Sequence, residues 1–141
     1  MEHAAFAVEL RDATNSRSVD KVADCFTDDY VNQTPAHPGR GFTGKGQVRQ
    51  NWAQIFAAVP DHTATLIASA QDGPTVWTEW EMRGTRTDGA THLMRGPIVF
   101  TVRDGRANAA RFYLERVDDP NNGDDGDVDG DADAAVRRIL S

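Results

Sequence analysis

The chain of 141 residues is short of several residue types. It has one cysteine, Cys25, which excludes an intramolecular disulfide and a cysteine-rich metal centre. Lysine is scarce: Lys21 and Lys45 stand against 13 arginines. No apolar run approaches the roughly 18 residues that a membrane-spanning helix needs. The first residues, MEHAAFAVELRDATN, carry an acid at position 2 and no apolar stretch like that of a secretion signal. The expectation is a soluble, cytoplasmic protein with no membrane partner. Surplus positive charge is missing as well, since the net charge is −7. From Asp118 to Ser141 eight Asp and two Arg give −6, so residues 1–117 are nearly neutral at −1. A domain without a basic face is not expected to bind nucleic acid.

What is present reads as one domain over 1–117, followed by an acidic tail over 118–141. The tail's composition predicts disorder, with a short amphipathic piece at Ala132 to Leu140. Residues 3–14 suit a first helix, with Phe6 and Leu10 on one side. Residues 18–26 suit a second, with Ser18 as N-cap and Val19, Val22, Ala23 and Phe26 forming one stripe. A short strand is expected from Tyr30 to Thr34, and then a Pro/Gly-rich loop to Gly46. The third helix places Val48, Trp52, Ile55, Phe56 and Val59 on one face before Pro60. The apolar period then drops to two. Strands are predicted over His62–Gln71, Thr75–Arg86, Thr91–Arg103 and Arg106–Val117, with hairpin turns at Asp72-Gly73-Pro74, Asp88-Gly89 and Asp104-Gly105. One sheet face is apolar and calls for cover by the helices. The other mixes acids, arginines and aromatics; such a face is either solvated or paired with a second subunit, and a homodimer through that outer face is the default expectation.

The stretches FTDDYVNQTP (26–35), VWTEWEMRGTRTDG (76–89) and MRGPIVFTVRDGRANAARFYLE (94–115) resemble the nuclear transport factor 2-like superfamily. Within it they resemble the SnoaL-like polyketide cyclases, the ketosteroid isomerases and the limonene-epoxide hydrolases. The resemblance spans about residues 3 to 117. It implies an α+β fold: three N-terminal helices packed on a strongly curved, mostly antiparallel sheet that forms a cone-shaped barrel. In the epoxide hydrolases a Tyr and an Asn two residues apart help hold the attacking water, and Tyr30 and Asn32 match that spacing. Their Arg-x-Asp and a further Asp fall on Trp80, Glu81, Met82 and Phe112, so that acid–base set is absent. The position of the proton-shuttling Asp of ketosteroid isomerase holds Thr34. The SnoaL-like cyclases use a pocket base with polar helpers, and His92 and Asn32 are the residues that suit those roles.

The candidate site follows. His92, on the apolar face, is the expected general base, because an imidazole titrates near neutrality; the competing reading is an inert core histidine. Tyr30, Asn32 and Thr34 point to one side of their strand and could supply hydrogen bonds to a carbonyl or water. Trp52, Trp80, Met82, Met94, Phe112 and Leu114 are expected to line a cavity for a small hydrophobic molecule. Glu79 and Glu81 share the outer face with Arg83, Arg95 and Arg111, where ion pairs explain them. No metal or cofactor is expected. Gly39 to Gly46 nearly spells a phosphate-binding loop but ends in Gly where Ser or Thr is needed. Asp125 to Asp133 mimics a calcium loop but has Val136 at the bidentate position. The expected function is a cofactor-independent enzyme that isomerises, cyclises or hydrolyses a hydrophobic carbonyl or epoxide metabolite. The alternative is a non-catalytic binding or dimerisation domain of the same fold.

Overall fold

The computed structural model describes residues 3–118 and Asn122. The calcium-loop mimic and the expected terminal helix lie outside the described residues. Helix α1 (Ala5–Ser16) buries Phe6, Ala7, Leu10, Ala13 and Thr14, and ends where Arg17 turns left-handed at φ 56°. Helix α2 (Val19–Ala23) is shorter than the sequence pattern predicts. Ser18 caps it by accepting the Lys21 N–H. Phe26, expected at its end, instead opens strand β1 (Phe26–Gln33). Within the expected loop, Pro38–Arg40 forms a single 3-10 turn and Phe42–Thr43 forms strand β2. Helix α3 (Lys45–Ala58) follows, burying Val48, Asn51, Trp52, Ile55 and Ala58.

The four predicted strands appear as β3 (Thr63–Asp72), β4 (Thr75–Thr85), β5 (Thr91–Arg103) and β6 (Arg106–Phe112). The last ends early and resumes as β7 (Glu115–Arg116). The cause is Gly96, at φ 143°. A Cβ there would lie 2.4 Å from the Tyr113 carbonyl oxygen, so only glycine lets the two chains approach at this kink, across which the pairing register is unchanged. The sheet order is β2-β1-β6-β5-β4-β3, with β7 beside β5. All pairings are antiparallel except β1 with β6, which is parallel. The sheet is strongly curved but unclosed: β2 and β3 remain its edges, so the expected barrel is an open one.

The helices cover the concave face, as its apolar alternation requires. Trp80, Tyr30, Phe100, Ile55 and Met94 are among the largest fully buried side chains. Trp80 spends its indole N–H on Thr78 Oγ1 at 2.7 Å, and Thr78 donates in turn to the Ile98 carbonyl at 2.6 Å. On the outer face Glu81 accepts from Arg83 (2.9 Å) and from its cross-strand partner Arg95 (2.8 Å). Trp77 and Ile67 are about half exposed there, at 50% and 45%. Beyond β7 the chain still grips β5: Asn122 accepts the Leu93 N–H at 2.9 Å and donates to the Leu93 and Val117 carbonyls at 2.7 and 2.9 Å.

Candidate functional site

A cavity of about 360 Å³ of inter-atomic space, mouth included, lies between the helices and the concave face. It is narrow: the volume open to the centre of a water is that of about one such molecule. Met82, Ile98, Phe100 and Phe112 form its floor on β4, β5 and β6, while Leu10, Thr14, Val48 and Trp52 come from α1 and α3. Phe26, Tyr30, Asn32 and Phe42 complete it from β1 and β2. Phe42 is half-buried, whereas every other lining residue is buried. The mouth is therefore at Phe42, on a two-residue edge strand between Gly41 and Gly44.

Tyr30 and Asn32 are two apart on β1, so both side chains enter the same space. The Tyr30 hydroxyl donates to Asn32 Oδ1 at 2.6 Å. Burial pushes the Tyr30 phenol well above its ordinary pKa, so it stays a neutral donor. Asn32 is 2% exposed, and its Nδ2 has no hydrogen-bond partner among the described residues. Buried amide hydrogens left unpaired cost about 1–3 kcal/mol, so this amide can take an acceptor that enters the cavity, a water included. The third polar lining group, Thr14, donates its hydroxyl to the Leu10 carbonyl at 2.8 Å. Among the described residues no Asp, Glu, Lys, Arg or His lines the cavity.

The other sequence candidates are spread around this space. Trp52, Met82 and Phe112 line it; Trp80, Met94 and Leu114 are buried in the core but lie outside the lining. Thr34 is buried and donates its hydroxyl to the His37 carbonyl at 2.6 Å, closing the turn after β1. His37 Nε2 in turn meets Glu115 Oε1 at 3.0 Å, which ties that loop to β7. His92 is also buried outside the lining, where its ring stands 5.7 Å from that of His62. His62 packs edge-on against Trp52 at 5.6 Å. Burial, then the neighbouring His92 and Arg17, depress the His62 pKa to about 3. His62 is therefore neutral at pH 7. Neither of its ring nitrogens has a hydrogen-bond partner among the described residues.

Sequence reasoning passed over Phe42, Thr14 and His62. Thr14 could have been found, since it lies four residues after Leu10 on the buried side of α1. Phe42 carried only the faint signal of one aromatic in a Pro/Gly-rich loop.

This geometry agrees with the comparisons. Residues 7–110 match the model of the SnoaL-like domain family. The chain belongs to that family. No curated protein matches it. Among solved structures, this SnoaL-like chain is similar to a protein of ketosteroid isomerase-like fold from Catenulispora acidiphila, solved in complex with trimethylamine. The TM-score is 0.68 at 15% identity, over 78% of this chain and 85% of that one. It is similar to a candidate ketosteroid isomerase from Kribbella flavida (TM-score 0.65, 19% identity, 89% and 87% covered). It is also similar to IdmH, a candidate polyketide cyclase from Streptomyces antibioticus (TM-score 0.64, 25% identity, 75% and 86% covered). Those likenesses below 25% identity speak for the fold alone.

Proposed function

We propose that this SnoaL-like domain binds a small, mostly apolar metabolite whose single carbonyl or epoxide oxygen is received by the Asn32 amide. One observation carries the reading: a buried Nδ2 without a partner, in a cavity whose other walls are almost wholly apolar. The aromatic and aliphatic lining supplies the burial that makes association favourable. The slot as it stands is small, so a ligand of more than a few heavy atoms enters by displacing Phe42, the half-buried side chain at the mouth. Trimethylamine, present in the solved Catenulispora structure, is a poor match here, because at neutral pH it is a protonated ammonium that donates and the unspent group on Asn32 is also a donor.

The catalytic form of this reading is isomerisation, cyclisation or hydrolysis by proton transfer, without a cofactor. Membership of a family related to ketosteroid isomerases and polyketide cyclases supports it. Asn32 and Tyr30 would polarise the oxygen; His92, the base expected from the sequence, lies outside the lining and would receive the proton only through an intervening group. Since the lining holds no acid or base other than the neutral Tyr30, binding is the primary conclusion and catalysis the second. Thermal denaturation with a panel of small ketones and epoxides tests the first: a ligand at about 100 times its Kd raises stability by about 2.7 kcal/mol. At the same concentration the ligand should stabilise Asn32→Leu only about half as much, by about 1.4 kcal/mol, since one buried hydrogen bond is worth about tenfold in affinity. If no member of the panel shifts the melting temperature, the binding reading fails. Exchange of ketone α-protons for solvent deuterium, followed by NMR, tests the second; it should appear in the wild type and vanish in His92→Gln.

A further inference from the structure

We infer that the Tyr30 hydroxyl sets the hydrogen-bond polarity of the cavity by locking the Asn32 amide with its N–H edge inward, so that the site selects an acceptor-only ligand over a donor of the same size. This deepens the binding reading above and rests on it. An asparagine amide can present either its carbonyl or its NH₂ edge, and the two are nearly equal in shape. Here the contact itself favours one of the two. The Tyr30–Asn32 separation of 2.6 Å suits O–H···O, and it is shorter than an N–H···O bond prefers. A flipped amide would place Nδ2 at that short distance and would turn Oδ1 towards the ligand.

Tyr30 is itself closely packed. It is 1% exposed, and its ring packs edge-on against Phe26 at 4.7 Å and tilted against Phe42 at 6.1 Å. The remaining hydroxyl in the lining, on Thr14, is spent on the Leu10 carbonyl. A ligand that only donates can meet the hydroxyl lone pairs of Tyr30 or Thr14, but it leaves the Asn32 N–H groups buried and unpaired. A ligand that accepts satisfies them. Discrimination therefore comes from the penalty on the wrong ligand, which is how buried polar groups reject near-isosteres. Tyr30 acts here as a specificity-determining residue through Asn32.

Three five-membered rings form the test: cyclopentanone (acceptor only), pyrrole (donor only) and cyclopentane (neither), titrated by ¹H–¹⁵N NMR against the full chain. The wild type should bind cyclopentanone about tenfold more tightly than the other two, the effect of one satisfied buried hydrogen bond. Tyr30→Phe keeps the ring and removes the lock, so the amide can turn. The preference for cyclopentanone over pyrrole should then fall to within about threefold, chiefly because pyrrole gains. Asn32→Leu, a second variant of similar volume, should bring cyclopentanone down to the level of cyclopentane. A fall in affinity for all three ligands without a change in their ratio would indicate a merely structural Tyr30 and overturn the inference. So would equal binding of the three rings by the wild type. If none of the three binds, the binding reading fails with it.

Discussion

Lowering the pH from 7 to 5 should destabilise the protein, and His62 should account for most of the loss. The ring is wholly buried and neutral, with a folded pKa of about 3 against an ordinary value of 6.5. In the unfolded chain it protonates near 6.5; in the folded chain it does not until the pH approaches 3. The unfolded state thus binds more protons across that interval. The stability is fully present above pH 6.5 and is lost as pH falls, at about 1.4 kcal/mol per unit. Between pH 7 and 5 the loss is about 2 kcal/mol; across the whole interval it approaches 5 kcal/mol. The window above pH 5 sets the carboxylates aside. Asp29, Asp61, Glu81 and Asp88 have lowered pKa values and ordinary values of 3.8 to 4.5, so their contributions disappear mainly at lower pH. Urea denaturation should show the midpoint falling by about 1 M from pH 7 to pH 5. In His62→Leu, which fills the site without ionising, the midpoint should be nearly flat over the same range. A wild-type midpoint that does not move, or a variant that falls just as far, would refute the reasoning.

Three further outcomes are expected. Gly96→Ala drives a Cβ into the Tyr113 carbonyl at a positive φ, and should cost about 2–4 kcal/mol in denaturant unfolding; a loss below 1 kcal/mol would show that the close approach relaxes. The Cys25 thiol, pushed up to about 12 by burial and then by Glu9 and Asp24, should react with a disulfide reagent only after unfolding. Its reaction rate in native buffer, compared with that in denaturant, measures this. We also propose that the outer sheet face joins two copies, since it carries half-exposed Trp77 and Ile67 among side chains of both signs. Sedimentation should give about twice the 15.4 kDa chain mass, falling to the monomer in Trp77→Glu; a monomeric wild type would refute it.

The sheet was legible where its causes are local. Strand β5 occupies Thr91–Arg103 as the alternation between two Asp-Gly turns predicts. Strand β1 was less legible because Asp28 and Asp29 are poor strand formers. Asp29 is held by Arg103, 74 residues away, at 2.9 Å, which no local pattern displays. The break between β6 and β7 had a similar cause, since the positive-φ kink at Gly96 acts on the strand opposite. At the site, the shared side of Tyr30 and Asn32 followed from their spacing. Which edge of the Asn32 amide faces inward did not, because it depends on one hydrogen bond. The alternation also placed His92, Met94, Ile98 and Phe100 on one face of β5, correctly as to side. It carried no information on how far the cavity extends along that face. Only Ile98 and Phe100 reach the cavity, while His92 sits beside His62.

The clasp of Asn122 on Leu93 has a practical consequence for anyone who trims the acid-rich end. A cut after residue 117, where the composition changes, removes the side chain that accepts the Leu93 N–H, and a buried N–H without a partner costs about 1–3 kcal/mol. A cut immediately after Asn122 removes six Asp and two Arg, which takes the net charge from −7 to −3 and leaves the clasp whole. Five residues thus separate a shortened chain whose β5 edge has been opened from one that keeps it closed.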